Sequence, residues 1–174
     1  MKKSILIAAL FVCGLLFQKA DAQVRISFRA NIGIQPGWGP VGYDHVEYYY
    51  MPDIDAYYYV PTAQYIYLQR GRWTFGATLP GRYRDYDINT GYKVVVNDRT
   101  PYRHAEIYRT RYASFKGNRD QGTIRNSHDS KYFENRNHPE HNKWKQERNR
   151  ERNERSHRGN DRGNNRGNDR GNHD

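Results

Sequence analysis

Along residues 24–34 the apolar side chains Val24, Ile26, Phe28, Ala30, Ile32 and Ile34 alternate with Arg25, Ser27, Arg29, Asn31 and Gly33. Period-two alternation predicts a strand buried on one face. A Gly/Pro-dense loop follows at 35–42. Four short runs rich in Tyr, Val, Ile, Trp and Phe come next, at 46–51, 56–60, 64–68 and 73–77, separated by turn signals at Pro52-Asp53, Pro61-Thr62 and Arg70-Gly71. This spacing predicts a β-meander of tight hairpins, and 92–97 reads as one more strand. Within the third run Tyr65 and Tyr67 fall on one face, Ile66 and Leu68 on the other. The expectation is aliphatic side chains inward and tyrosine rings along a half-wet surface.

The β pattern stops at Thr100-Pro101, a good N-cap followed by a residue suited to the first helical position. Tyr102, Ala105, Tyr108, Tyr112 and Phe115 then recur at intervals of three, three, four and three. They predict a helix over about 101–116 whose aromatic stripe packs on the sheet. The fold class expected is therefore mainly β: a small antiparallel meander with one C-terminal α-helix packed on it.

Composition changes the picture beyond residue 116. Fifteen of the sixteen tyrosines lie at or before Tyr112, and the last 58 residues hold only four apolar or aromatic side chains. With so little to bury, 117–174 is expected to be a disordered Arg/Asn/Gly-rich tail. Glu151 and Arg155 at i,i+4 support at most partial helix in its middle, since such pairs contribute only about 0.2–0.5 kcal/mol each. Arg-Gly-Asn-type repeats occupy 158–173.

The first 22 residues read as a secretory signal peptide: Lys2 and Lys3, an apolar stretch over 4–17, and Ala20-Asp21-Ala22 as a small-x-small cleavage site. About 14 apolar residues fall short of the ~20 that span a bilayer, so no transmembrane span is expected after cleavage. Cys13 lies inside the apolar stretch, leaving the mature chain without a thiol or disulfide. Residues 23–116 then form one small β domain. The mature chain carries a formal charge of +8, shared equally by 23–116 and 117–174.

The blocks Tyr48-Tyr49-Tyr50-Met51-Pro52, Tyr57-Tyr58-Tyr59-Val60, Tyr65-Ile66-Tyr67-Leu68 with Gly71-Arg72-Trp73, Leu79-Pro80-Gly81-Arg82-Tyr83 and Gly91-Tyr92-Lys93-Val94-Val95-Val96-Asn97 occur in an order that resembles a family of small uncharacterised secreted envelope proteins of Bacteroidota. The resemblance covers roughly 43–116. It implies an exported protein, in the periplasm or the extracellular outer envelope of a Gram-negative bacterium, and brings no catalytic residue with it.

Candidate chemistry is sparse. Gly37-Trp38-Gly39-Pro40-Val41-Gly42 matches G-x-G-x-x-G after a strand, but Pro40 and the following β run leave no helix N-terminus for a pyrophosphate. His138 and His141 stand about one turn apart, fewer than the three or four ligands of a zinc site. Asp53/Asp55 and Asp85/Asp87 are paired carboxylates, which acid/base hydrolysis requires and turn capping explains more simply. No nucleophile motif is present. The expectation is a non-enzymatic protein without cofactor or metal.

Two functional readings follow. In one, an interaction or structural module binds an envelope protein or glycan through exposed Tyr65, Tyr67 and Trp73. In the other, Arg148, Arg150, Arg152, Arg155, Arg158, Arg162, Arg166 and Arg170 contact an anionic polymer such as lipopolysaccharide, acidic polysaccharide or extracellular nucleic acid. Export argues against intracellular nucleic acid. A barrel porin needs at least eight strands, more than the six predicted.

Overall fold

The structure is a computed structural model describing residues 30–164. The signal-peptide reading, the 24–29 part of the first expected strand, and Arg166 and Arg170 fall outside the described residues. Five strands form one antiparallel sheet: β1 (Tyr48–Met51), β2 (Ala56–Tyr59), β3 (Gln64–Gln69), β4 (Arg72–Gly76) and β5 (Val94–Val96), in the order β4-β3-β2-β1-β5. The first four make the expected meander. Its tightest hairpin joins β3 to β4 with Gln69 opposite Arg72, leaving Arg70 and Gly71 at φ 50° and 75°. Positive φ at both central residues is the turn whose twist matches the strands.

The tyrosine runs are buried on both sides. All four residues of β1 are buried, as are the first three of β2, because each face of the sheet carries its own cover. On one face Tyr49, Met51, Ala56, Tyr58 and Tyr67 pack with Trp38, Leu79, Tyr83, Tyr86 and Ile88. On the other, Tyr48, Tyr50, Tyr57, Ile66 and Val96 meet Tyr102, Tyr108 and Tyr112. On β3 the half-wet tyrosine face holds only for Tyr65, which is half-buried, while Tyr67 is buried beneath the 79–91 loop and Leu68, expected inward, is 37 % exposed.

The cover on the second face is the predicted helical stripe in shorter pieces. Helix α1 (Ala105–Arg111) lies between 3-10 turns at Pro101–His104 and Ala113–Phe115. Thr100 makes no capping bond through its side chain. Tyr108 holds the helix in place with its hydroxyl donating to Asp98 and its ring against Tyr50 and Tyr57.

Two expectations are overturned. Within 24–34, Ile32–Ile34 is a 3-10 turn, not strand. The carboxamide of Asn31 takes both backbone groups of Val46 at 2.8 and 3.0 Å, so a side chain substitutes for the ladder there. The tail also does not begin at 117. Residues 117–138 wrap back over the 32–42 segment: Val41 N–H donates to Gly122, Ile124 N–H to Gly39 and Arg125 N–H to Gly37, and Pro40 bridges Thr123. Ile124 and Tyr132, two of the four apolar side chains of this half, close a third cluster with Ile32. The segment compensates for its meagre apolar content with hydrogen bonds to the domain, which composition does not reveal. Beyond it, α2 (His141–Asn164) is continuous helix, longer than the partial helix expected. Its Lys, Arg, Gln and Glu residues are all good helix formers. Among the described residues no helix is long and apolar enough to cross a membrane.

Candidate functional site

Of the aromatic contacts expected on the surface, none stands free. Tyr67 is buried, and Tyr65 and Trp73 are half-buried. Tyr65 lies edge-on to Tyr58, and burial pushes its hydroxyl up to about 12. Trp73 packs edge-on to Tyr57 and tilted against Tyr102. Of the three, only Tyr67 is withdrawn from the surface; Tyr65 and Trp73 keep part of a face exposed.

The arginines of α2 are arranged differently. Every residue from 145 to 157 is exposed. Lys145, Arg148, Arg152 and Arg155 recur at intervals of three, four and three, which at 3.6 residues per turn places them within about 80° of arc over ~15 Å of axis. Glu147, Glu151 and Glu154 share an arc centred roughly a third of a turn away. Ten acidic residues dilute the charge of 117–174, but along the helix Glu147 and Glu154 fall away from the stripe and only Glu151 borders it. Arg150 falls on the far side of this stripe, and Arg158 and Arg162 belong to the last part of α2, where only the backbone is described. Lys145 was missed because only helical geometry aligns it with the arginines.

Two contacts shape the stripe. The Arg148 guanidinium lies 5.3 Å from the Trp144 ring centre, and Trp144 stacks on His141. Arg155 approaches Glu151 at 3.9 Å with both side chains mostly exposed, a pair worth a few tenths of a kcal/mol. Arg148, Glu151, Arg152 and Arg155 line a shallow concavity of about 180 Å³. The helix starts from a fixed point: His138, 6 % exposed, meets the Ser127 carbonyl oxygen at 2.9 Å through Nε2 and accepts the Glu140 N–H on Nδ1. Those bonds assign the Nε2–H tautomer.

The remaining candidates are structural anchors. Asp53 accepts from Gly117 N–H and pairs with Arg119, both at 2.7 Å. Asp55 pairs with Arg109 at 2.7 Å and accepts from Tyr50. The Asp87 carboxyl is held below its usual range by the Asn89 N–H and side chain and by Thr90, the mark of a turn, while Asp85 is almost fully exposed beside Arg84. The G-x-G-x-x-G loop is a packing device: a Cβ at Gly39 would lie 2.6 Å from the Tyr49 hydroxyl. Among the described residues no cluster of three His, Cys, Asp or Glu could hold a metal ion.

No protein family, no curated protein and no solved structure matches the chain.

Proposed function

We propose that this is a non-enzymatic, exported envelope protein, an interaction module in which a rigid tyrosine-cored β domain presents the basic helix α2 to anionic polymers. The observation that carries the reading is the alignment of Lys145, Arg148, Arg152 and Arg155 on one exposed helical face, with Glu151 at its edge beside Arg155. A cationic stripe gains affinity by displacing counterions from a polyanion, with little demand on shape. The competing reading, adhesion through Tyr65, Tyr67 and Trp73, has less support, with Tyr67 buried and Tyr65 and Trp73 half-buried. Export itself rests on the sequence of residues 1–22, and intact mass of the secreted protein should begin at Gln23.

The test is heparin and lipopolysaccharide binding by the full mature chain across a salt series, beside a variant with Lys145, Arg148, Arg152 and Arg155 all changed to Gln. Glutamine keeps helix propensity, so loss of binding reports charge. The wild type should bind at 0.1 M salt and release by 1 M, where the screening length falls from about 10 to about 3 Å. Equal binding by the variant, or binding indifferent to salt, sinks the reading.

A further inference from the structure

A second concave feature lies on the β domain, assembled from four separate stretches of chain. Trp38, Tyr58, Asn89, Arg125 and Asn137 are among the residues lining a pocket of about 360 Å³, at the small end of the range for ligand sites. Trp38 is held edge-on by Tyr49 and Tyr58, at 5.4 and 4.9 Å between ring centres, so the ring is a fixed wall. Arg125 and Asn137 are carried in by the 117–138 wrap. A Cβ at Gly37 would lie 2.9 Å from Cβ of Asn137 and 3.5 Å from that of Arg125, so the glycine is what lets both approach. The side chains of Arg125 and Asn137 make no hydrogen bond or ion pair with other described residues, nor does the Trp38 indole N–H. Asn89 spends its side-chain N–H on Asp87 and keeps its Oδ1 free.

One more group bears on the pocket. Lys93 is 2 % exposed, and no ion pair with it occurs among the described residues. Its ammonium lies 5.7 Å from the Trp38 ring centre and 3.5 Å from the Asn89 carbonyl. The Asp87 carboxylate acts on it electrostatically without forming an ion pair, and Lys93 and Arg125 together against Asp87 leave the neighbourhood net positive. An aromatic wall, free amide and indole groups and an unpaired guanidinium are the complement of a pyranose ring bearing a carboxylate: the ring's C–H face against indole, the hydroxyls on the amides, and the carboxylate on the two-pronged Arg fork.

We propose that the pocket between Trp38, Arg125 and Asn137 is a binding site for a hexuronate, the acidic sugar unit of a carboxylated polysaccharide. It is independent of the α2 stripe. Either can fail without the other.

The experiment is an NMR titration of the full mature chain with methyl galacturonate and, separately, neutral methyl galactoside, following the Trp38 indole N–H. Galacturonate should shift that resonance saturably in the millimolar range and galactoside should not. Arg125→Gln should weaken galacturonate at least about tenfold, as loss of a charge-assisted contact does, and the four-site α2 variant should leave it unchanged. Equal shifts with both sugars, or none with galacturonate, overturns the proposal even if Arg125→Gln does not fold. A folded Arg125→Gln protein with undiminished affinity overturns it as well.

Discussion

The fully buried side chain of Asn135 donates from one nitrogen to the carbonyl of Gln35 at 2.7 Å, and the same nitrogen reaches the Ile32 carbonyl at 2.6 Å. Two chain segments a hundred residues apart are joined by a single carboxamide whose Oδ1 in turn accepts the Asn137 N–H. Asn135→Ala leaves two backbone groups, the Gln35 carbonyl and the Asn137 N–H, without a partner, while the Ile32 carbonyl keeps the Gln35 N–H. Each unsatisfied buried group costs about 1–3 kcal/mol, partly relieved by entering water. The expected loss is about 2–4 kcal/mol in urea unfolding. A loss under 0.5 kcal/mol would mean that the 117–138 wrap adds nothing to the domain.

The same packing sets the proteolytic pattern. Trypsin should cut first in α2, where the basic residues from Lys145 to Arg155 are exposed and the helix has little but its own bonds to hold it. The resistant core should retain residues 117–138. Mass spectrometry finding a core that ends at Lys116 would contradict the wrap.

Much of the sheet could be read from sequence because the information is local. Alternation, Tyr and Val content and the Pro52, Pro61 and Gly71 turns located four strands within two residues. The faces could not be read this way. Which side of β3 meets water depends on where the 79–91 loop goes, and no periodicity in Tyr65-Ile66-Tyr67-Leu68 encodes that. The wrap was missed for a related reason: Asn135, His138 and Gln121 fix it by side-chain bonds to backbone, which contribute no hydrophobic signal. Trp38, Asn89, Arg125 and Asn137 converge only after that wrap has folded.

Two tyrosines with the same burial should respond oppositely to loss of the hydroxyl. Tyr49 donates to Gln35 Oε1 at 2.8 Å, whereas the buried Tyr57 hydroxyl has no hydrogen-bond partner. Tyr49→Phe leaves Gln35 short of a donor and should cost about 1–2 kcal/mol. Tyr57→Phe should be neutral or stabilising by up to about 1 kcal/mol. Chemical denaturation of both variants checks the sign, and an equal loss for the two would refute the assignment.

Alkaline pH should unfold the domain through its tyrosines. Burial pushes the hydroxyls of Tyr48 and Tyr65 up to about 12 and those of Tyr49, Tyr50, Tyr57, Tyr58, Tyr86 and Tyr108 upward as well. With folded values raised above the unfolded 10.0, their stabilising contribution is complete below pH 10 and lost as pH rises through 12. Tyrosinate absorbance should therefore rise in two stages, the second coinciding with loss of β circular dichroism. A single transition at pH 10 with the sheet intact would show these rings to be solvated.

Lys93 gives the opposite sign at lower pH. Burial lowers its ammonium from 10.5 to about 8, so between those values the unfolded chain binds more protons and stability rises with pH. Below pH 8 the penalty is present in full. At about 1.4 kcal/mol per pH unit the displacement corresponds to roughly 3 kcal/mol, of which the Trp38 contact offsets about a third. Lys93→Met fills similar volume without charge and should stabilise the protein by about 1–2 kcal/mol at pH 7. The advantage should shrink toward pH 10, before the tyrosines ionise. Urea midpoints for both proteins at pH 7, 8.5 and 9.5 measure this directly. A variant less stable at pH 7 would show that the buried ammonium is held by favourable contacts, and a gap independent of pH would show that its charge is not what destabilises the fold.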